Sequence, residues 1–300
     1  MKKLYSPIIV FLLIAISTSA KAQSLFDGFD ASKGELSTTI SYTYENFDQF
    51  FLGTEKSEKG AVPFHNEIDF NIVSLYAKYG ISDKVSVVLN LPYISAQGNG
   101  DTDGINGLTS ISGFQNISFG IKANAYKLNF KGGDLNLITG FSTQIPTGYE
   151  PNGVLSIGDG AFGVDFSGGL HLNTNSKFFS TIIASYNLKN DAKNNFVPGG
   201  KFNVPNSFST TGKIGYASSF IYVDAWASHT NAEEGVDIGG TGFFGNLPET
   251  NVDYSMFGFT VYKEVLPQIG VSLGYSQIFD GRNAGLAKNY NAGITYNFKK

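Results

Sequence analysis

The chain has 300 residues, no cysteine, a formal net charge of −4 and a mean hydropathy of −0.05. Without cysteine it can build neither a disulfide framework nor a thiolate metal site, and its acidic balance argues against nucleic acid as a partner. The 26 Phe, 16 Tyr and 36 Gly, with only 15% charged residues, favour strands over helices.

The first element is a leader. Lys2-Lys3 precede a short apolar core from Ile8 to Ile16, and Ser17-Thr18-Ser19-Ala20-Lys21-Ala22 ends in an A-x-A pattern. The apolar core is too short to span a bilayer, so residues 1–22 read as a secretory signal. No cysteine follows to carry a lipid. Removing the signal leaves 278 of the 300 residues, with 18 Lys and Arg against 25 Asp and Glu, a net charge of −7. The remainder has no apolar run near the roughly 18–20 residues of a transmembrane helix. That excludes a helical membrane protein but not a barrel, whose lipid face uses every second residue.

Residues 23–34 carry Phe26 and Phe29 among small and acidic residues. An even-numbered barrel has no place for them as a strand. They read either as a plug that enters the lumen and packs near Tyr222, Asp224 and Trp226, or as a periplasmic tail.

Twelve alternating segments follow, at about 35–46, 66–79, 84–95, 114–128, 134–145, 161–172, 177–187, 207–217, 219–229, 251–263, 268–279 and 287–298. Links after even-numbered segments are short, such as Lys131-Gly132-Gly133 and Leu266-Pro267. Links after odd-numbered segments are mostly long and rich in Gly, Asn, Asp and Pro: 47–65, 96–113, 146–160, 188–206 and 230–250. Short turns at one end and long loops at the other are the pattern of an outer-membrane barrel with both termini in the periplasm. The fold class is therefore all-β: a transmembrane antiparallel barrel of about twelve strands over 35–298. A soluble β-sandwich has no reason to gather every long loop at one end.

The faces agree with this. Ile117, Phe119, Ile121, Ala123 and Ala125 share a lipid face, opposite Asn116, Ser118, Gly120, Lys122 and Asn124. Phe162, Val164, Phe166, Leu170 and Leu172 oppose Gly163, Asp165, Ser167, Gly169 and His171. A charge facing lipid at mid-bilayer costs roughly 2–4 kcal/mol, so Lys122, Asp165, Lys213 and Asp224 are expected to point inward. In the second segment Ile68, Phe70 and Ile72 are out of phase with Val73, Leu75 and Ala77, which predicts a bulge near Val73. In the last, Tyr290, Ala292, Ile294, Tyr296 and Phe298 oppose Asn289, Asn291, Gly293, Thr295 and Asn297. That ending resembles the terminal strand of bacterial outer-membrane barrels, with Phe298 as the residue recognised by the barrel-insertion machinery.

Several short motifs recur in one further family. They are Leu91-Pro92-Tyr93, the run from Gly113 to Lys122, Gln144-Ile145-Pro146-Thr147-Gly148, and Gly158-Asp159-Gly160 before a Gly-rich strand. Together they resemble outer-membrane barrels associated with the MetA pathway of phenol degradation, over roughly residues 65–298. Gln115-Asn116 stands where that family has Gly-Asp. The resemblance implies a transporter-like barrel that passes hydrophobic or aromatic compounds across the outer membrane.

Other motifs have plainer readings. Asp101-Thr102-Asp103-Gly104-Ile105-Asn106-Gly107 places oxygens as calcium loops do, but lacks the later bidentate Glu and reads as a solvated loop. Ser228 and His229 are adjacent, so on a strand they face opposite ways and cannot act as nucleophile and base. His171 and Asp165 share a face but stand three pleats apart. No phosphate loop, zinc motif or nucleotide fingerprint is present.

The sequence thus predicts a non-enzymatic outer-membrane channel for small molecules, without cofactor or metal. Its lumen candidates are Lys122, Asp165, His171, Lys213, Tyr222, Asp224 and Trp226, and its plug candidates are Phe26 and Phe29. Its partners would be outer-membrane lipids, the insertion machinery and a small solute. The alternatives are a structural or adhesive barrel and, further off, a barrel lipid hydrolase.

Overall fold

The computed structural model describes residues 26–194, 197 and 199–298, so the expected signal over 1–22 lies outside the described residues. Twelve strands close into one antiparallel barrel. They are β1 (Leu36–Phe47), β2 (His65–Ser82), β3 (Val85–Gly100), β4 (Ser110–Phe114 and Ile117–Phe130), β5 (Gly133–Ile145) and β6 (Gly163–Thr174). They continue with β7 (Phe178–Lys189), β8 (Ser207–Ala217), β9 (Tyr222–Ala232), β10 (Asp253–Leu266), β11 (Ile269–Arg282) and β12 (Lys288–Phe298). The predicted segments match these strands one for one. β1 and β12 pair in register from Leu36 opposite Phe298 to Asn46 opposite Lys288, so the barrel leaves no edge exposed. The described residues contain no α-helix.

The alternation sorts lipid-facing from inward residues as expected. Ile40, Ile182, Ile214 and Ile294 are each more than half exposed on the outside, while Thr43, Lys122, His171 and Asn289 are buried inside. Phe298 is exposed at the short-turn end and packs edge-on against Tyr296 at 4.5 Å.

Three local expectations need correction. No bulge forms near Val73. β2 pairs with β3 without interruption from Glu67 to Gly80, and its register shifts lie near its two ends. Ile68, Phe70 and Ile72 face inward and are buried, while Asp69 and Asn71 face outward and accept hydrogen bonds from Tyr44 and Tyr42. The environment changes, not the phase. β2 and β3 have 18 and 16 residues, against the roughly 9–11 that cross a bilayer, so their upper parts stand clear of the membrane. There the outside is wet and the inside is packed with folded-in loops.

The second concerns the motif resemblance, which implies a strand end at Leu91-Pro92-Tyr93, whereas these residues lie inside β3. Pro92 lacks an N–H, and β4 breaks opposite it, at Gln115-Asn116, where the Gln115 N–H donates to the Pro92 carbonyl at 2.9 Å. The third is a bulge at Asn124/Tyr126, after which Tyr126, Leu128 and Phe130 carry the outward face in place of the phase set by Phe119 and Ile121.

Candidate functional site

The lumen is built in two storeys. The lower, at the short-turn end, holds the segment that precedes β1. Lys78 on β2 and Lys122 on β4 point inward from neighbouring parts of the wall. The Asp27 carboxylate bridges them, at 3.0 Å to Lys78 and 3.2 Å to Lys122. Lys122 also meets Asp30 at 3.0 Å, and both ammonium groups donate to the Phe29 carbonyl, at 3.1 and 2.6 Å. Lys122 is only 1% exposed. A buried ammonium is tolerated only when paired and hydrogen-bonded, and this segment supplies both. Burial works to raise the Asp27 pKa, but the two lysines outweigh it and hold the carboxyl well below the usual carboxylate range.

Phe29 fills an aromatic seat. Its ring meets His171, Phe179 and Tyr222 edge-on, with centroids at 4.8, 5.2 and 5.7 Å. His171 shares a 2.7 Å hydrogen bond with Thr181. The backbone passes so close to His171 at Gly28 that a Cβ there would lie 2.0 Å from Nδ1, so only glycine fits. Tyr222 donates to Asp224 at 2.6 Å, and Lys213 pairs with Asp224 at 3.0 Å. Trp226 is buried against Gly258. Phe29 reaches Tyr222. Phe26 packs over Gly120 and Gly140 on β4 and β5, which departs from the expectation that both aromatics pack by Tyr222, Asp224 and Trp226.

The upper storey has two unlike sectors. Against β1–β3, the loop 146–162 folds inward and buries Val154, Leu155 and Ile157 with Phe47, Phe50, Ile68, Phe70, Ile72 and Ile94. Asp103 fixes this loop. Its buried carboxylate accepts the N–H groups of Ile105 at 2.8 Å, Val154 at 2.6 Å and Leu155 at 3.2 Å. Those donors occupy the oxygens a calcium ion would need, so the Asp101–Gly107 loop is a clasp. Gly153 adopts φ of 74° beside that carboxylate, and a Cβ there would sit 2.5 Å from Asp103 Oδ2.

Asn116 is the second clasp. Its amide donates to Asp159 at 2.8 Å and to the Ala161 carbonyl at 3.2 Å, and its oxygen accepts from Tyr149 at 2.7 Å. Asp159 in turn pairs with Lys189 at 2.7 Å. Burial would raise the Asp159 carboxyl, but Lys189 draws it below the usual range. The motifs around Gln115-Asn116 and Gly158-Asp159-Gly160 thus meet in one network that holds the loop down.

Facing the dry sector, a cavity of about 440 Å³ runs along β4–β10. Asp165, Ser185, Asn187, Ser207 and Ser209 line it from the wall, with Leu247, Pro248 and Thr250 from a loop. Sequence reasoning named Asp165 alone from this set. Asp27, Asp30 and Lys78 were also missed. The signal was there, as two inward-phase lysines and an acidic segment that cannot be a strand.

On the outside, His229 does find a serine, though not Ser228. Ser255 on β10 lies 3.1 Å from Nδ1. Asp253 approaches that same nitrogen at 3.6 Å. A nucleophile–base–acid relay needs the hydroxyl and carboxylate on opposite ring nitrogens, so this trio is not one. No group of three or more His, Asp and Glu among the described residues could hold a metal ion.

No family model matches the sequence, and no curated protein matches it. The solved structures do. The COG4313 outer membrane channel from Pseudomonas putida F1 superposes with a TM-score of 0.73 at 15% identity, over 90% of this chain and 98% of that one. The NanC porin follows with a TM-score of 0.51 at 10% identity, over 86% and 98%. At such identities the likeness is one of fold. A closed barrel with an apolar exterior has all its backbone groups paired and greasy side chains outward, which suits it to lipid. The chain has the fold of an outer-membrane β-barrel. The fold agrees with the barrel that the motif resemblance implies, and no family match carries it to a particular pathway.

Proposed function

We propose that this barrel is an outer-membrane channel for small molecules whose lumen is narrowed by residues 26–34. The supporting observation is the pairing of a cavity in one storey with a latched segment in the other. Asp27 ties that segment to two walls through Lys78 and Lys122, and solute leaving the cavity toward the short turns meets Phe26 and Phe29. A twelve-stranded barrel has room for such a plug but not for free water flow around it. Deleting residues 24–33 should raise single-channel conductance several-fold. Unchanged conductance would show that the segment does not obstruct the path.

The hydrophobic or aromatic solute implied by the motif resemblance is a second reading. What favours it is the seat of His171, Phe179 and Tyr222, which an aromatic solute would meet if Phe29 withdrew. The insertion machinery is the proposed partner of the final strand, with exposed Phe298 as its handle. Phe298→Ala should lower the amount of inserted barrel while export through the inner membrane continues, and an unaltered outer-membrane level refutes that role.

A further inference from the structure

The cavity above the plug has a chemistry of its own. Ser118, Ser142, Ser207 and Ser209 present hydroxyls to it from three strands, and Asn187 adds an amide. Asn187 is 91% buried, since its relative exposure is 9%, and its side-chain oxygen has no hydrogen-bond partner among the described residues. That oxygen lies against the wall at Gly163, 3.2 Å from where a Cβ there would sit, so it is the rest of the Asn187 side chain that borders the cavity. Asp165 lines the same space, with one carboxylate oxygen taken by Ser167 at 2.6 Å. The other charges there, Asp159 and Lys189, cancel in their own ion pair.

We infer that the cavity binds a neutral, hydroxyl-rich solute, a sugar or polyol, rather than an aromatic hydrocarbon. This rests on the channel reading and assigns its substrate class. Serine hydroxyls can donate or accept, and the Asp165 carboxylate accepts, so together they match sugar hydroxyls, which do both. A hydrocarbon would strip water from these groups and return no hydrogen bond, gaining only from the aliphatic part of the lining at Ile157, Val204, Leu247 and Val252. The unpaired Asp165 carboxylate repels anions. The wet sector is also wide enough for a small solute, being within the roughly 300–1,000 Å³ of ligand sites.

The test uses the full mature protein in lipid nanodiscs, titrated by saturation-transfer NMR with sucrose, sorbitol, phenol and toluene, against empty nanodiscs. Sucrose or sorbitol should give protein-dependent saturation transfer. Ser209→Ala and, separately, Ser207→Ala should each weaken that binding by about fivefold, the effect of one hydrogen bond. Phenol and toluene should give no signal beyond that of empty nanodiscs. Protein-dependent binding of phenol without sugar binding overturns the inference, and so does the absence of binding by every probe. Potassium chloride conductance of the unmodified barrel and of the 24–33 deletion is measured alongside. Sugar binding with no conductance from either would overturn the channel reading instead and leave a sugar-binding barrel.

Discussion

The two sectors of the upper lumen arise from the same alternation and end in opposite states. Along β1–β3 the inward positions are Phe47, Ile68, Phe70, Ile72 and Ile94, and the loop 146–162 covers them. Along β7–β9 they are Ser185, Asn187, Ser207, Ser209 and Thr230, and they border open space. The difference teaches that an inward position in a barrel has no fixed polarity. It is apolar where a loop descends to exclude water and polar where water or solute remains.

That contrast can be broken from the dry side with the largest effect. Leu155 is fully buried beneath Asp103, and Leu155→Ala should cost about 2–5 kcal/mol of local packing. The loop 146–162 should then become protease-sensitive in intact barrels while the strands stay resistant. Continued resistance of the loop would mean that the dry sector does not hold it.

A smaller effect is expected where the sectors meet. In the native chain Lys189 keeps the Asp159 carboxyl below its usual range, so the contribution of that ion pair is present above the ordinary carboxylate pKa. It is lost only when the pH falls through the lowered value. In Lys189→Met the ammonium is gone and burial pushes Asp159 up. The variant should therefore lose most near pH 7, and its deficit in thermal midpoint against the native barrel should shrink as the pH falls toward about pH 4 and Asp159 takes up its proton. Parallel pH profiles would remove Lys189 from the network.

The smallest effect belongs to a pair outside both sectors. Lys201 and Asp191 meet at 2.5 Å on the surface, where solvent screens them. Lys201→Ala should leave the thermal midpoint where it is, and a clear drop would show that the pair steadies the link between β7 and β8.

By itself the sequence determined twelve strands, their short and long connections, and the lipid face of nearly every strand. These follow from period-two alternation and turn chemistry, which are local. It also marked Lys122, Asp165, Lys213 and Asp224 as inward, because a charge cannot face lipid at mid-bilayer. The tertiary structure alone decided what those groups meet. Lys122 finds Asp27 and Asp30 some ninety residues away in the chain, and Asn116 finds Asp159 across a loop. It alone explained the inverted polarity of Ile68, Phe70 and Ile72. Alternation says only that two faces differ, whereas which face is wet depends on where lipid ends and a loop begins.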